Sequence, residues 1–197
     1  MAYAAVILAG GAARRLGGAP KPLLTVADEA LLSRVLAALA AADARVVVGP
    51  ASLAADLPQE VLLTCEDPPG GGPVAGLAAG LAMLPPDVTQ IAVAAADLPF
   101  VTAATFADLA ADLAGHDVAL AVDPSGRRQH LLGVWRADYL RALLPAGGDH
   151  AGKALKHLLK DARVAEVRLP DDALPAWLDC DTPEELAHAR AIARPHH

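Results

Sequence analysis

The sequence predicts an α/β protein in three layers: a mostly parallel, twisted sheet with helices on both faces. Three observations predict it. Short β-rich runs alternate along the chain with longer alanine- and leucine-rich stretches at helical spacing. The run Ile91-Ala92-Val93-Ala94-Ala95-Ala96 is apolar at every position, as a strand covered on both faces must be. No internal repeat or low-complexity linker interrupts the alternation, so residues 1–197 read as one domain, long enough to bury a core without disulfides or metal staples.

In chain order, the first strand, Ala4 to Leu8, is an apolar run that stops at Gly10-Gly11. A helix from Ala30 to Ala42 follows, then strands at Arg45 to Val48, closed by Gly49-Pro50, and at Val61 to Thr64. The next helix, Val74 to Leu84, starts after Gly72-Pro73, and the strand Ile91 to Ala96 ends at Asp97. A helix from Ala103 to Ala114 leads to strands at Val118 to Val122 and Leu131 to Trp135. Helices at Ala137 to Leu144 and Gly152 to Lys160, a strand at Val164 to Val167 and a helix at Pro183 to Ala193 complete the order. Thr182-Pro183-Glu184-Glu185 reads as a capping box, with Thr182 as N-cap and Glu185 reaching back.

Composition excludes several classes of function. A net charge of −7 and a pI near 5.4 oppose a nucleic-acid surface, which needs a basic face to release counterions. The longest apolar stretch, Pro73 to Leu84, is too short to span a bilayer, so no membrane partner is expected. The N-terminus has no basic segment before Val6-Ile7-Leu8 and no small-residue cleavage site, and the expected location is the cytoplasm. Cys65 and Cys180 lack CxxC spacing, the seven histidines lack HExxH spacing, and no GxSxG elbow occurs.

In open α/β sheets ligands bind beyond the carboxyl ends of strands, so the segments after strands carry the functional reading. Leu8-Ala9-Gly10-Gly11-Ala12-Ala13-Arg14-Arg15-Leu16-Gly17-Gly18-Ala19-Pro20-Lys21 follows the first strand and carries no acidic residue. Glycines let backbone N–H groups approach phosphate oxygens, and Arg14, Arg15 and Lys21 supply charge-assisted bonds. The spacing is neither GxGxxG nor a Walker A loop, because position 12 is alanine and Lys21 precedes Pro22. Prolines on both sides predict an extended segment around Lys21. Asp97 ends a buried-type strand, and one or two carboxylates plus substrate phosphates suffice to hold magnesium. As isolated features, Asp97 also reads as a turn residue before Ala103, and Gly72-Pro73 as a plain helix start.

Together, Leu8-Ala9-Gly10-Gly11, Arg14-Arg15, Gly17-Gly18 and Lys21 resemble the signature of the molybdenum cofactor guanylyltransferase family. Gly72-Pro73-Val74-Ala75-Gly76, Asp97-Leu98-Pro99 and Asp181-Thr182-Pro183-Glu184-Glu185-Leu186 resemble its later motifs in the same order. The resemblance implies a Rossmann-like nucleotidyltransferase fold and a Mg2+-dependent transfer of GMP from GTP to the phosphate of a molybdopterin-type cofactor. It implies Arg15, Lys21 and Asp97 as catalytic residues, and Leu8, Ala9, Gly10, Gly11, Arg14, Lys21, Asp67, Gly72 and Asp97 at the nucleotide. Asp97 and Asp181 would hold Mg2+, and transient contact with cofactor-accepting enzymes would follow. One departure stands out: Gly49-Pro50 occupies a place where relatives often carry an asparagine near the base. Leu-Ala-Gly-Gly differs from the Leu-Ala-Ala-Gly usual in cytidylyl relatives. Another base, another acceptor, or a non-catalytic nucleotide-binding module are the alternatives. An acceptor phosphate would need cations of its own, and Arg127-Arg128 with Gln129-His130, or Lys153, Lys156 and Lys160, are available.

Overall fold

The computed structural model describes residues 3–10, 15–16, 19–170 and 174–194. Seven strands form one sheet: β1 (Tyr3–Leu8), β2 (Ala44–Val48), β3 (Val61–Thr64), β4 (Gln90–Ala95), β5 (Val118–Val122), β6 (Arg128–Arg136) and β7 (Val164–Arg168). Their order is β7-β5-β6-β4-β1-β2-β3. All pairs are parallel except those of β6, which runs antiparallel to both β4 and β5. The chain therefore builds outward from β1 through β2 to β3, then returns to lay β4 on the other side of β1. That reversal makes the β1/β4 boundary the topological switch point, where the connections leaving adjacent strands diverge and open a crevice.

Four helices cover the sheet, α1 (Leu31–Ala38), α2 (Pro73–Ala82), α3 (Ala103–Ala111) and α4 (Ala137–Leu143), and a fifth, α5 (Pro183–Ile192), packs beside it in a cluster of its own. Strand alternation sends Ala5, Ile7 and Ala9 to one face, against Leu32, Val35 and Leu36 of α1 and Phe106 and Leu109 of α3. Ala4, Val6 and Leu8 go to the other, against Val74, Leu77 and Leu81 of α2 and Leu140 of α4. Two apolar clusters on opposite faces are the physical content of the three-layer expectation. β5 is buried at all five positions, whereas the edge strand β7 alternates buried and exposed residues. No helix among the described residues is long and apolar enough to cross a membrane.

Two local expectations are corrected. The stretch from Gly152 to Lys160 is not an α-helix; only Leu155–Leu159 forms a 3-10 turn. Its Leu155, Leu158 and Leu159 are buried, and over a single turn that spacing serves a 3-10 helix as well as an α-helix. Gly152 adopts φ +70° and donates its N–H to the Gly71 carbonyl at 2.8 Å, which holds the segment to another loop before any helix starts. Lys21, expected in an extended segment, instead opens a 3-10 turn, Lys21–Leu23. Pro22 needs no N–H donor there, and the Leu24 N–H closes the turn on the Lys21 carbonyl.

Candidate active site at the strand switch point

The crevice begins where β1 ends. The Ala9 N–H donates to the Val48 carbonyl at 2.8 Å and the Ala96 N–H to the Leu8 carbonyl at 3.0 Å, so the ladders on both sides of β1 continue one residue past the strand. Leu8 and Ala9 are thereby fixed, and Gly10 emerges exposed from the edge of the sheet. A side chain at Gly49 would meet Ala9 Cβ at 3.2 Å, the Ala9 carbonyl oxygen at 3.3 Å and Leu53 at 3.0 Å. Glycine at 49 thus lets β2 close tightly on the start of the loop. Of the expected loop residues, Gly11, Arg14 and the Arg15 side chain lie outside the described residues. The backbones of Arg15–Leu16 and Ala19–Pro20 pair antiparallel and deliver the chain to Lys21.

Lys21 is 7 % exposed, and its ammonium is bound by the carboxylates of both Asp97 and Asp181. Burial would lower the pKa of Lys21, but the fields and hydrogen bonds of Asp97 and Asp181 outweigh it and the net shift is upward. The structure thus brings together the cation predicted for phosphate and the two carboxylates predicted for metal. Asp97 does stand in a turn after β4, but it caps no helix: Thr102 caps α3, in a box with Thr105. Asp97 Oδ1 is buried and has no hydrogen-bond partner among the described residues, an arrangement that costs free energy unless a ligand uses it.

A third apolar cluster sets the position of Asp181. Cys180 and Leu186 and Ala189 of α5 pack with Val26, Leu31 and Phe100, so the C-terminal segment is clamped beside the turn that follows Asp97. Arg190 adds a 2.8 Å hydrogen bond to the Thr25 carbonyl. The predicted capping box is present, with the Glu185 N–H donating to Thr182 Oγ1 and the Thr182 N–H to Glu185 Oε2. Burial pushes the Cys180 thiol up to about 12, with the nearby Asp97 adding to the effect, so it packs as a neutral group. Asp179 is also raised, first by burial and then by Asp181 and Asp97, which marks the pocket as rich in negative charge.

Two carboxylates with an unpartnered buried oxygen form a hard oxygen donor set suited to Mg2+, which takes few protein ligands and completes its shell with phosphate and water. No group of three or more metal-ligating side chains occurs among the described residues. On the far side of Gly10 the loop after β3 places Glu66 beside the glycine: both Glu66 carboxylate oxygens lie 3.9 Å from where a Gly10 Cβ would be. Glu66 Oε1 also accepts the Gly70 N–H at 3.0 Å, while Asp67 is exposed. Neighbouring acidic residues after a strand give no sequence signal for which one turns inward. Gly72, at φ +90°, is the N-cap of α2 with Pro73 in the first turn, so its helix-start role is real.

This sheet order, with a lysine and two aspartates gathered at its switch point, defines a nucleotidyltransferase-type α/β protein. The chain belongs to the MobA-like NTP transferase domain family, whose sequence profile matches residues 5–167. It is 32% identical to the molybdenum cofactor guanylyltransferase of Bradyrhizobium sp. (strain ORS 278), over 95% of this chain and 92% of that protein. Among solved structures, an Rv0371c homolog from Mycobacterium sp. strain JC1 superposes with a TM-score of 0.76 at 24% identity, covering 97% of this chain and 96% of that one. Molybdopterin-guanine dinucleotide biosynthesis protein A from Archaeoglobus fulgidus gives 0.68 at 22% identity, covering 96% and 97%.

Proposed function

We propose that this protein transfers GMP from GTP to the phosphate of a molybdopterin-type cofactor in a Mg2+-dependent reaction, releasing pyrophosphate. The observation that carries the reading is the Lys21–Asp97–Asp181 constellation at the β1/β4 switch point, in a chain whose relatives are named for this activity. An acceptor phosphate oxygen attacks the α-phosphorus of GTP, the bond from that phosphorus to the β-phosphate oxygen breaks, and pyrophosphate leaves with the electron pair. The nucleophile is already ionised at neutral pH, so no general base is required. Catalysis reduces to positioning and charge neutralisation.

In this reading Gly10 and Gly11 present backbone N–H groups to the triphosphate, and Arg14, Arg15 and Lys21 neutralise its β- and γ-phosphates. Asp97 and Asp181 hold Mg2+, which neutralises charge on the reacting phosphates and leaving group. Lys21 then exchanges its carboxylate partners for phosphate oxygens. Guanine as the base is supported by the relatives named for guanylyl transfer. Leu8, Ala9, Asp67 and Gly72 complete the nucleotide contacts. The test is pyrophosphate release from GTP, CTP, ATP and UTP with Mg2+ and purified molybdopterin-type acceptor. Release that needs both GTP and acceptor is expected. A preference for CTP sinks the guanylyl assignment, and no release above the acceptor-free control sinks the acceptor.

A further inference from the structure

One guanidinium joins the two chain segments that deliver Lys21 and Asp97 to the crevice. Arg34, in the first turn of α1, donates from Nε to the Pro99 carbonyl at 2.6 Å and from Nη1 to the Val26 carbonyl at 3.3 Å. Pro99 lies two residues after Asp97, and Val26 lies five after Lys21. Nη1 also meets Glu29 Oε2 at 3.3 Å, on a side chain that is 47 % exposed.

The local fold explains why these three segments meet. Thr25–Val26 and Glu29–Ala30 pair antiparallel around Ala27 and Asp28, which take φ +50° and +63°, so the chain leaving Lys21 doubles back directly into α1. Val26 of that hairpin, Leu31 of α1 and Phe100 of the turn after Asp97 are then buried in one cluster. Apolar packing brings the segments together but has no preferred direction. The planar fork of an arginine does, because its N–H donors keep fixed angles to one another. Among the described residues no other group donates to the Pro99 carbonyl.

Asp97 depends on such a brace. Its carboxylate caps no helix, its Oδ1 has no partner among the described residues, and its other oxygen is met by the Lys21 ammonium. The position of the carboxylate is therefore set by the backbone of its turn, and the side-chain bond that holds this turn comes from Arg34.

We infer that Arg34 is a positioning residue: by holding the Pro99 and Val26 carbonyls in one fork, it fixes the spacing of Asp97 and Lys21 and keeps Asp97 set for the metal. The part concerning metal rests on the Mg2+-dependent transfer of the preceding section; the part concerning the Lys21–Asp97 pair does not.

Two measurements test it. In urea unfolding, a double-mutant cycle of R34M and K21M should be non-additive. The factor by which K21M raises the unfolding constant should be about threefold or more smaller in the R34M background than in the wild type, the scale of coupling within one network. In steady-state pyrophosphate release at saturating Mg2+, R34M should lower kcat about tenfold or more, as a slightly misplaced reacting group does, with the GTP KM within about twofold of wild type. R34K, which keeps donors near the same carbonyls, should recover most of the loss, and E29Q, which removes only the exposed arm, should change neither quantity. A merely structural staple lowers the urea midpoint but leaves the factors additive and kcat intact. Additive factors, an unchanged kcat, or an equal fall in kcat for E29Q overturns the inference, and R34Q replaces R34M in both measurements if the methionine variant does not fold. If the wild type releases no pyrophosphate from GTP, the transfer reading falls, and the unfolding cycle alone decides whether Arg34 sets the Lys21–Asp97 pair.

Discussion

Replacing Lys21 with methionine tests the central claim about the site, because it removes the ammonium from between two carboxylates while nearly preserving volume. In the free protein Asp97, with a side chain 18 % exposed, loses the partner of one oxygen while its other oxygen is already buried without one. Removing one partner of a fully buried pair costs about 3–5 kcal/mol, and this arm, still touched by solvent, falls toward the lower end. The Asp181 arm, 59 % exposed, adds under about 1 kcal/mol. The sum is a destabilisation of about 3–4 kcal/mol, or about 6–16 °C in Tm for a chain of this length. A divalent cation should then recover much of that loss, because nothing competes with it for the two carboxylates. Mg2+ without nucleotide is expected to raise the Tm of Lys21→Met by more than that of the wild type and to bind it about tenfold more tightly, even as GTP turnover collapses. The assay is scanning calorimetry across a Mg2+ titration, with Lys21→Arg as the charge-preserving control. Equal Mg2+-induced shifts in variant and wild type would refute the reasoning, as would an unchanged Tm without metal.

Two further outcomes follow from the sheet. Gly80→Ala puts a Cβ 2.5 Å from Val6 Cγ1 and 2.9 Å from Val48 Cγ2, both fully packed, so overpacking of about 3 kcal/mol should exceed the roughly 1 kcal/mol gained in helix propensity; a urea midpoint equal to or above wild type would contradict this. Asp117, buried and hydrogen-bonded first of all to the Arg163 side chain, has its pKa lowered from 3.8 to about 2. A depressed folded pKa gives stability that is present above the unfolded value and lost as pH falls through the folded one. Asp117→Asn should therefore cost about 1–2 kcal/mol at pH 7, discounted for the exposed Arg163, with the deficit vanishing as pH approaches 2 in acid unfolding curves.

The fold was legible because the signals that specify it are local. A six-residue all-apolar run such as Ile91 to Ala96, too short for a typical helix, fits a strand covered on both faces, and Thr182-Pro183-Glu184-Glu185 carries its own start signal; both elements stand within a residue of expectation. Antiparallel β6 is set by its pairing with β4 and β5, which no local pattern announces, and its first three residues precede the predicted start. The segment from Gly152 failed for a similar reason, since its conformation is decided by a hydrogen bond to Gly71, more than eighty positions away in the chain. The placing of Glu66 beside Gly10 has the same origin: it depends on the Gly70 N–H and on how closely the glycine loop approaches.

What the sequence could not show is that its predicted phosphate ligand and its predicted metal ligands are one another's partners. Lys21 lies 76 positions from Asp97 and 160 from Asp181, and only the packing of Cys180, Leu186 and Ala189 against Val26, Leu31 and Phe100 brings the third group to the first two. The pairing has a consequence for how substrates enter. Like charges gathered in a part-buried pocket repel: the Asp179 pKa is raised first by burial and then by Asp181 and Asp97, so the carboxylates need a counter-charge at every stage. Lys21 supplies it in the free protein. In the proposed reaction a triphosphate would draw the ammonium away and leave the carboxylates in need of another cation, while a divalent ion on the carboxylates would free the ammonium for the phosphates. Each ligand thereby relieves a cost the other would otherwise meet, and by linkage the favour is reciprocal. If the proposed function holds, a site wired in this way would bind nucleotide and metal as a couple, with Lys21 as the exchange partner between them.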